Sequence, residues 1–324
     1  MRWKGRRRSR NVNDMRGQGG LGGGGMFRIP SGGGFRIPTG GTVRPARSGG
    51  FGCGTLIIIG VVLWLLGLNP LAILGGLLNG GLGGGLGGGL GPAISPQQSP
   101  QVNRETGTGG RPDEMREFME VVMASTEDTW DRIFRAYGKE YPHPRLNIFE
   151  GQIRSACGLA SSASGPFYCP QDSEVYIDLS FYQTLARQFG AKGDFAQAYV
   201  LAHEVGHHVQ NQIGVLPEFN RMRQSMGKLE VNQLSVQVEL QADCLAGVWG
   251  HFVEREGWLE RGDLEEALVA AQQIGDDAIQ KRTQGYVVPE AFNHGTSQQR
   301  QKWFARGFDA GRIEACDTFN ARDL

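Results

Sequence analysis

The residues Leu201-Ala-His203-Glu204-Val-Gly-His207-His208 place two histidines four apart with a glutamate directly after the first. On a helix, residues four apart stand one above the other, so His203 and His207 can aim their imidazoles at one ion. Glu204 then lies beside that ion, placed to take a proton from water. Neutral imidazole is a good zinc ligand, and three protein ligands leave the open position that hydrolysis needs. The same string also arises by chance on a charged helix face, so the third ligand carries the decision.

A metzincin would have glycine and histidine where this chain has Gln210 and Ile213, which excludes that subclass. Downstream, Glu239-Leu-Gln-Ala242-Asp243 puts two carboxylates four apart on one helical face. Glu239 would complete a His-His-Glu site, and Asp243 could accept the free ring N–H of a ligand histidine. Glu230, His251 and His294 are rivals for the third position, without the paired carboxylate. Of the other histidines, His208 points about 100° from the ligand face, His143 sits between two prolines, and His251 lies about three turns beyond Glu239.

These residues need two helices that approach closely. Asp194 after Gly193 predicts a helix start; Phe195, Ala198, Ala202, Val209 and Ile213 recur at helical spacing, and Gly214 predicts its end. A second helix is expected from about Val231 to Glu256. Gly206 on the first and Ala242, Ala246, Gly247 and Gly250 on the second would let the backbones come together. Around them the pattern predicts a helix from Asp113 to about Tyr137, strands Leu146–Glu150 and Glu174–Phe181, and a helix capped by Asp263 that runs to about Arg282. A last helix, capped by Ser297 or Thr296, bears Trp303 and Phe304. The domain therefore reads as α+β.

Four stretches in order, HEVGHHVQ, ELQADCLAGVW, GPFYCPQDSEVYIDLSFY (Gly165 to Tyr182) and HGTSQQRQKWFARGF (His294 to Phe308), resemble the bacterial neutral zinc metallopeptidases, whose HExxH and ExxAD pair is shared with gluzincins. The resemblance covers roughly Arg111 to the end. It implies a zincin-like fold of the mini-gluzincin kind, one Zn2+ on His203, His207 and Glu239, Glu204 as catalytic base, and a peptide or protein substrate. In zincins an edge strand holds the extended substrate by main-chain pairing, and Val175–Leu179 is the candidate here. The oxyanion needs a further donor, for which His294 in the family-like segment is the choice.

Composition divides the chain at about residue 110, since 33 of the 51 glycines precede Arg111. That is too many for a packed core. Residues 1–50 hold eleven Lys and Arg against the single acid Asp14, a net +10 that leaves −10 behind it. With the near-repeat FRIPSGGG, FRIPTGG they read as a disordered basic tail. Residues 51–78 are apolar apart from Asn69 and long enough to cross a bilayer of about 30 Å as a transmembrane helix, which Asn69-Pro70 would kink. The excess of arginine before it places the tail in the cytoplasm and the rest in the periplasm or outside the cell. Residues 79–110 read as a Gly/Pro-rich tether without a phosphate loop, and 111–324 as one domain with ample core.

Four of the five cysteines, Cys157, Cys169, Cys244 and Cys316, fall in that exported domain, an even count that suggests two disulfides. Cys157 with Cys169 closes a short loop and is favoured, which would leave Cys244 with Cys316; three connectivities are open. Two other readings stand beside the membrane-anchored peptidase. One is a zinc-bound scaffold without catalysis, which the presence of Glu204 disfavours. The other is a tail that binds RNA or anionic lipid, where the lack of an aromatic platform argues against nucleic acid.

Overall fold

The computed structural model describes residues 1–17 and 113–324. The remainder of the basic tail, the apolar stretch 51–78 and the glycine-rich stretch 79–110 lie outside the described residues. Among the described residues no helix is long and apolar enough to cross a membrane.

The chain opens on a strand, which corrects the expectation of a disordered tail for residues 1–17. Strand β1 (Val12–Asp14) pairs in parallel with β2 (Arg145–Phe149), in the register Val12 to Leu146. Ahead of it, Met1 and Trp3 are buried, and the Trp3 ring meets Phe118 edge-on at 5.2 Å. The physical reason is a partner that the local pattern of the tail does not reveal. Helix α1 (Glu114–Ala136) presents acids to which the arginines pair: Arg7 to Glu127 and Asp128, and Arg8 to Glu117.

Asp113 caps α1 as its sequence suggests, accepting from the Arg116 N–H. After β2 comes the hairpin β3 (Gln152–Ser155) and β4 (Gly158–Ser161). β5 (Phe167–Cys169) and β6 (Glu174–Asp178) complete a four-stranded sheet of order β1-β2-β6-β5, parallel except where β5 runs antiparallel to β6. β6 is therefore interior, flanked by β2 and β5. The expected edge strand Val175–Leu179 is corrected: both of its edges are already paired, and β5 stands at the end of the sheet.

Seven further α-helices follow among the described residues: α2 (Ser180–Gln188), α3 (Asp194–Gln212), α4 (Val215–Met222), α5 (Lys228–Arg255), α6 (Asp263–Gln273), α7 (Asp276–Gln284) and α8 (Ser297–Ala310). The architecture is mixed α/β and dominated by helices. The single helix expected from Leu264 to Arg282 is in fact α6 and α7, parted at Gly275. That glycine is required because a Cβ there would stand 2.3 Å from the Ser297 backbone N at the start of α8. Thr296 caps α8 in a reciprocal pair with Gln299.

The core lies between the sheet and α3, α5 and α8, with Trp249, Trp303, Tyr199 and Phe195 fully buried. Two disulfides tie it, Cys157–Cys169 and Cys244–Cys316, the pairing favoured above. The second joins α5 to the turn after α8.

Candidate metal centre

Helix α3 carries His203, Glu204 and His207 in its middle, and α5 carries Glu239 and Asp243. The two helices meet at Gly206, where a Cβ would lie 2.9 Å from the Ala242 carbonyl oxygen. Only glycine permits that approach, and the approach is what brings side chains of unequal length together. Ligand atoms of His203, His207 and Glu239 all lie within 4.8 Å of one another. His203 Nε2 is 3.2 Å from Glu239 Oε2, and His207 Nε2 is 3.5 Å from Glu239 Oε1. The three rivals are elsewhere occupied: Glu230 caps the start of α5, His251 bonds the Phe308 carbonyl, and His294 bonds Asp276.

Each imidazole is oriented from behind. His203 Nδ1 bonds Asp243 Oδ1 at 2.8 Å, and His207 Nδ1 bonds Gln210 Oε1 at 2.8 Å. A ring nitrogen facing a carboxylate or an amide oxygen carries a proton, so with an ion in place each Nδ1–H would stay on its neighbour and each Nε2 would offer its lone pair to the ion. Gln210 is fixed in turn by donating to the Val238 carbonyl and to Gln241. Asp243 is fully buried and accepts from Tyr199 Oη, from His203, and from both Nε and Nη2 of Arg300 at 2.8 and 2.9 Å.

These contacts set the charges. Burial would raise the Asp243 carboxyl, but Arg300 and then His203 outweigh it and hold it at about 2. Burial would likewise lower His203, yet Asp243 and Glu239 raise it to about 10. The pull that favours a proton on His203 favours any cation held against its Nε2. Burial pushes Glu204 above the usual carboxylate range, opposed by the imidazoles of His203 and His207.

The donors, two imidazole nitrogens and one carboxylate oxygen, fit zinc. His203, His207 and Glu239 would hold the ion, which when bound would polarise a carbonyl and acidify water. They line a cleft of about 440 Å³ together with Glu204, His294 and Arg300. Its remaining walls are largely apolar: Pro166, Phe167 and Tyr168 at β5, Phe181, Phe189 and Val200, and Ile274 and Ile279 across from them. His294 enters this cleft with Nδ1 3.2 Å from Asp276 Oδ1, while Asp276 also accepts the backbone N–H groups of Asn293, His294 and Gly295. His208 does not enter it and lies between Tyr168 Oη and the Pro142 carbonyl.

Sequence reasoning missed Arg300, Tyr199 and Gln210. Gln210 sits three residues after His207, a spacing that places it on the same face, so it could have been found. Arg300 lies within the HGTSQQR segment, but nothing local says that its guanidinium is buried. The Asp194 expected to cap α3 is its first residue instead, and its carboxylate takes the Met1 ammonium at 2.7 Å.

Two imidazoles and a carboxylate over a cleft, with a buried glutamate between the imidazoles in the chain, form the kind of centre used by zinc hydrolases. The chain belongs to the family described as Putative neutral zinc metallopeptidase, whose model matches residues 1–319. Among relatives, an Escherichia coli K12 protein called uncharacterized protein YpfJ is 47% identical over 325 residues, covering 98% of this chain and 99% of its own. A Mycobacterium tuberculosis H37Rv protein, uncharacterized protein Rv2575, is 41% identical over 222 residues, 65% of this chain and 74% of its own. No solved structure matches the chain.

Proposed function

We propose that this protein is a membrane-anchored zinc peptidase of zincin-like, gluzincin type that hydrolyses peptide bonds within the cleft beside β5. The observation that carries the reading is the convergence of His203, His207 and Glu239 beside the buried Glu204 in one cleft. Glu204 takes a proton from the attacking water and delivers it to the leaving nitrogen. His294, turned by Asp276, donates an N–H to the oxygen on which charge develops. The free edge of β5 accepts the extended peptide by main-chain pairing, and the aromatic and aliphatic walls favour a substrate with bulky apolar side chains.

Membrane attachment rests on the apolar residues 51–78, and export of the domain on its two disulfides, which persist in oxidising compartments. The rival reading, a zinc-bound scaffold, would leave Glu204 without a task. The test is digestion of a peptide library by the purified protein, with metal content measured in parallel. Zinc-dependent cleavage that Glu204→Gln abolishes supports the reading. Fully zinc-loaded protein that cleaves no more than its Glu204→Gln variant overturns it.

A further inference from the structure

The arginines before residue 17 would ordinarily be read as a cytoplasmic anchor for the apolar stretch that follows. In the fold they do something else. Residues 1–17 hold seven Lys and Arg with the single acid Asp14, and most of those cations are matched to acids of the domain. Lys4 meets Glu114, Arg7 meets Glu127 and Asp128, Arg8 meets Glu117 and Glu120, and Arg16 meets Asp113. Exposed pairs of this kind add little stability singly. Their number, however, makes the fit complementary in sign, with acids from Asp113 to Asp128 all engaged by this one segment.

The buried contacts are more telling. Glu127 is only 2% exposed, and its carboxylate accepts from Ser9 Oγ at 2.5 Å, Asn11 Nδ2 at 2.8 Å and Arg7 Nη2 at 3.0 Å. All three donors come from the N-terminal segment. A carboxylate so deeply buried would be costly without those donors. The segment also adds a fourth strand to the sheet through β1, and the Arg2 N–H bonds the Trp258 carbonyl at 2.7 Å while the Arg6 guanidinium stacks 4.1 Å from that indole. The family match likewise begins at residue 1, so the segment belongs to what the family shares.

We infer that residues 1–17 are an integral part of the peptidase domain and that both ends of the stretch 18–112 therefore stand on one side of any bilayer that the apolar residues 51–78 enter. A single crossing by 51–78 would put the flanks on opposite sides, and no molecule with this docking can satisfy it. The basic residues thus serve as the counter-charge of α1. They do not mark the cytoplasmic side alone, and the split topology expected from the charge pattern gives way.

The experiment compares two thiols in the full-length chain, in a Cys53→Ser background whose other four cysteines are disulfide-bonded. Arg10→Cys and Arg322→Cys are both at exposed positions, one in each part. Each variant is treated with a membrane-impermeant maleimide in spheroplasts before and after lysis. Labelling of both before lysis, or of both only after it, is the expected result; labelling of one before and the other only after lysis overturns the inference. A second pair, Arg7→Cys with Asp128→Cys, reads the docking itself by a short bismaleimide in the same membranes. An intramolecular cross-link absent from either single variant is expected, and its absence from the double variant counts against the inference. Neither readout depends on proteolysis, so both stand apart from the peptidase assignment.

Discussion

Helix α3 has two cation-binding clusters of similar size and opposite fate. In its middle, His203 and His207 face Glu239; at its first turn, Asp194 lies with Asp263 and Glu266, and in both clusters the candidate ligand atoms are within 4.8 Å of one another. The second already contains its cation, the Met1 ammonium, at 2.7 Å from Asp194 and 3.5 Å from Asp263. It consists of carboxylates alone, only one of which is buried, and it offers no imidazole; Asp263 and Glu266 accept the backbone N–H groups of Glu260 and Phe195. The first has two imidazoles, each turned by a bonded neighbour, and one carboxylate, at the wall of a cleft. Proximity of acids does not make a metal site; ligand type and the support behind each ligand do.

The sharpest way to break that contrast is by metal content. Alanine at His203, His207 or Glu239 should each release the stoichiometric zinc, whereas Asp194→Asn with Asp263→Asn should retain one zinc per chain by elemental analysis. A second zinc in the wild type that the double variant loses would erase the distinction. Glu204→Gln should keep its metal and lose turnover by about 10²- to 10⁴-fold, the range a positioned acid–base group contributes.

Within the cleft, His294→Ala should lower kcat by about 10²-fold with zinc retained, the cost of one lost donor to a developing oxyanion. A purely structural histidine would show otherwise, with a lower Tm and turnover per bound zinc unchanged.

Support from behind is tested at Asp243 and Arg300. Asp243→Asn keeps the shape but weakens the hold on the Nδ1–H of His203, and zinc affinity measured against a competing chelator should fall about 10- to 100-fold. Arg300→Gln leaves Asp243 buried with fewer donors and should lower both zinc affinity and Tm. If Arg300→Gln costs nothing in the Asp243→Asn background, the two act as one unit.

The two clusters also differ in how legible they are. The metal centre could be read because its parts are written at helical spacing: His203 to His207 and Glu239 to Asp243 each span one turn, and Gly206 marks where two helices touch. The helix start at Asp113, the turn at Gly214 and the short-loop disulfide Cys157–Cys169 were equally local, and Cys244–Cys316 was left once that pair was favoured. What could not be read depends on partners distant in the chain. Arg300 reaches Asp243 across 57 residues, and Glu127 is met by Ser9 across 118. Basic residues among glycines have the composition of disorder, and only the acids of α1 show that this stretch has a surface to fold on. The strand Glu174–Asp178 was legible, yet its neighbours were not, because β5 and β1 are three residues each and carry too little pattern.

The smallest effect comes from the ammonium cluster and concerns pH. Burial alone would lower the pKa of the Met1 amine, but its bonds to Asp194 and the charge of Asp263 raise it above the ordinary value of 8.0. A group whose folded pKa is raised stabilises fully below its unfolded pKa, and that stabilisation is lost as pH rises through the folded value. The zinc-loaded protein should therefore show a Tm that declines as pH rises beyond about 8, by about 2–4 °C, the shift that about 1 kcal/mol produces in a domain of this size. In Asp194→Asn that alkaline decline should shrink while the zinc content stays at one per chain. An unchanged alkaline slope in Asp194→Asn would mean that the ammonium is held by the fold around it, with no net stabilisation from the carboxylates.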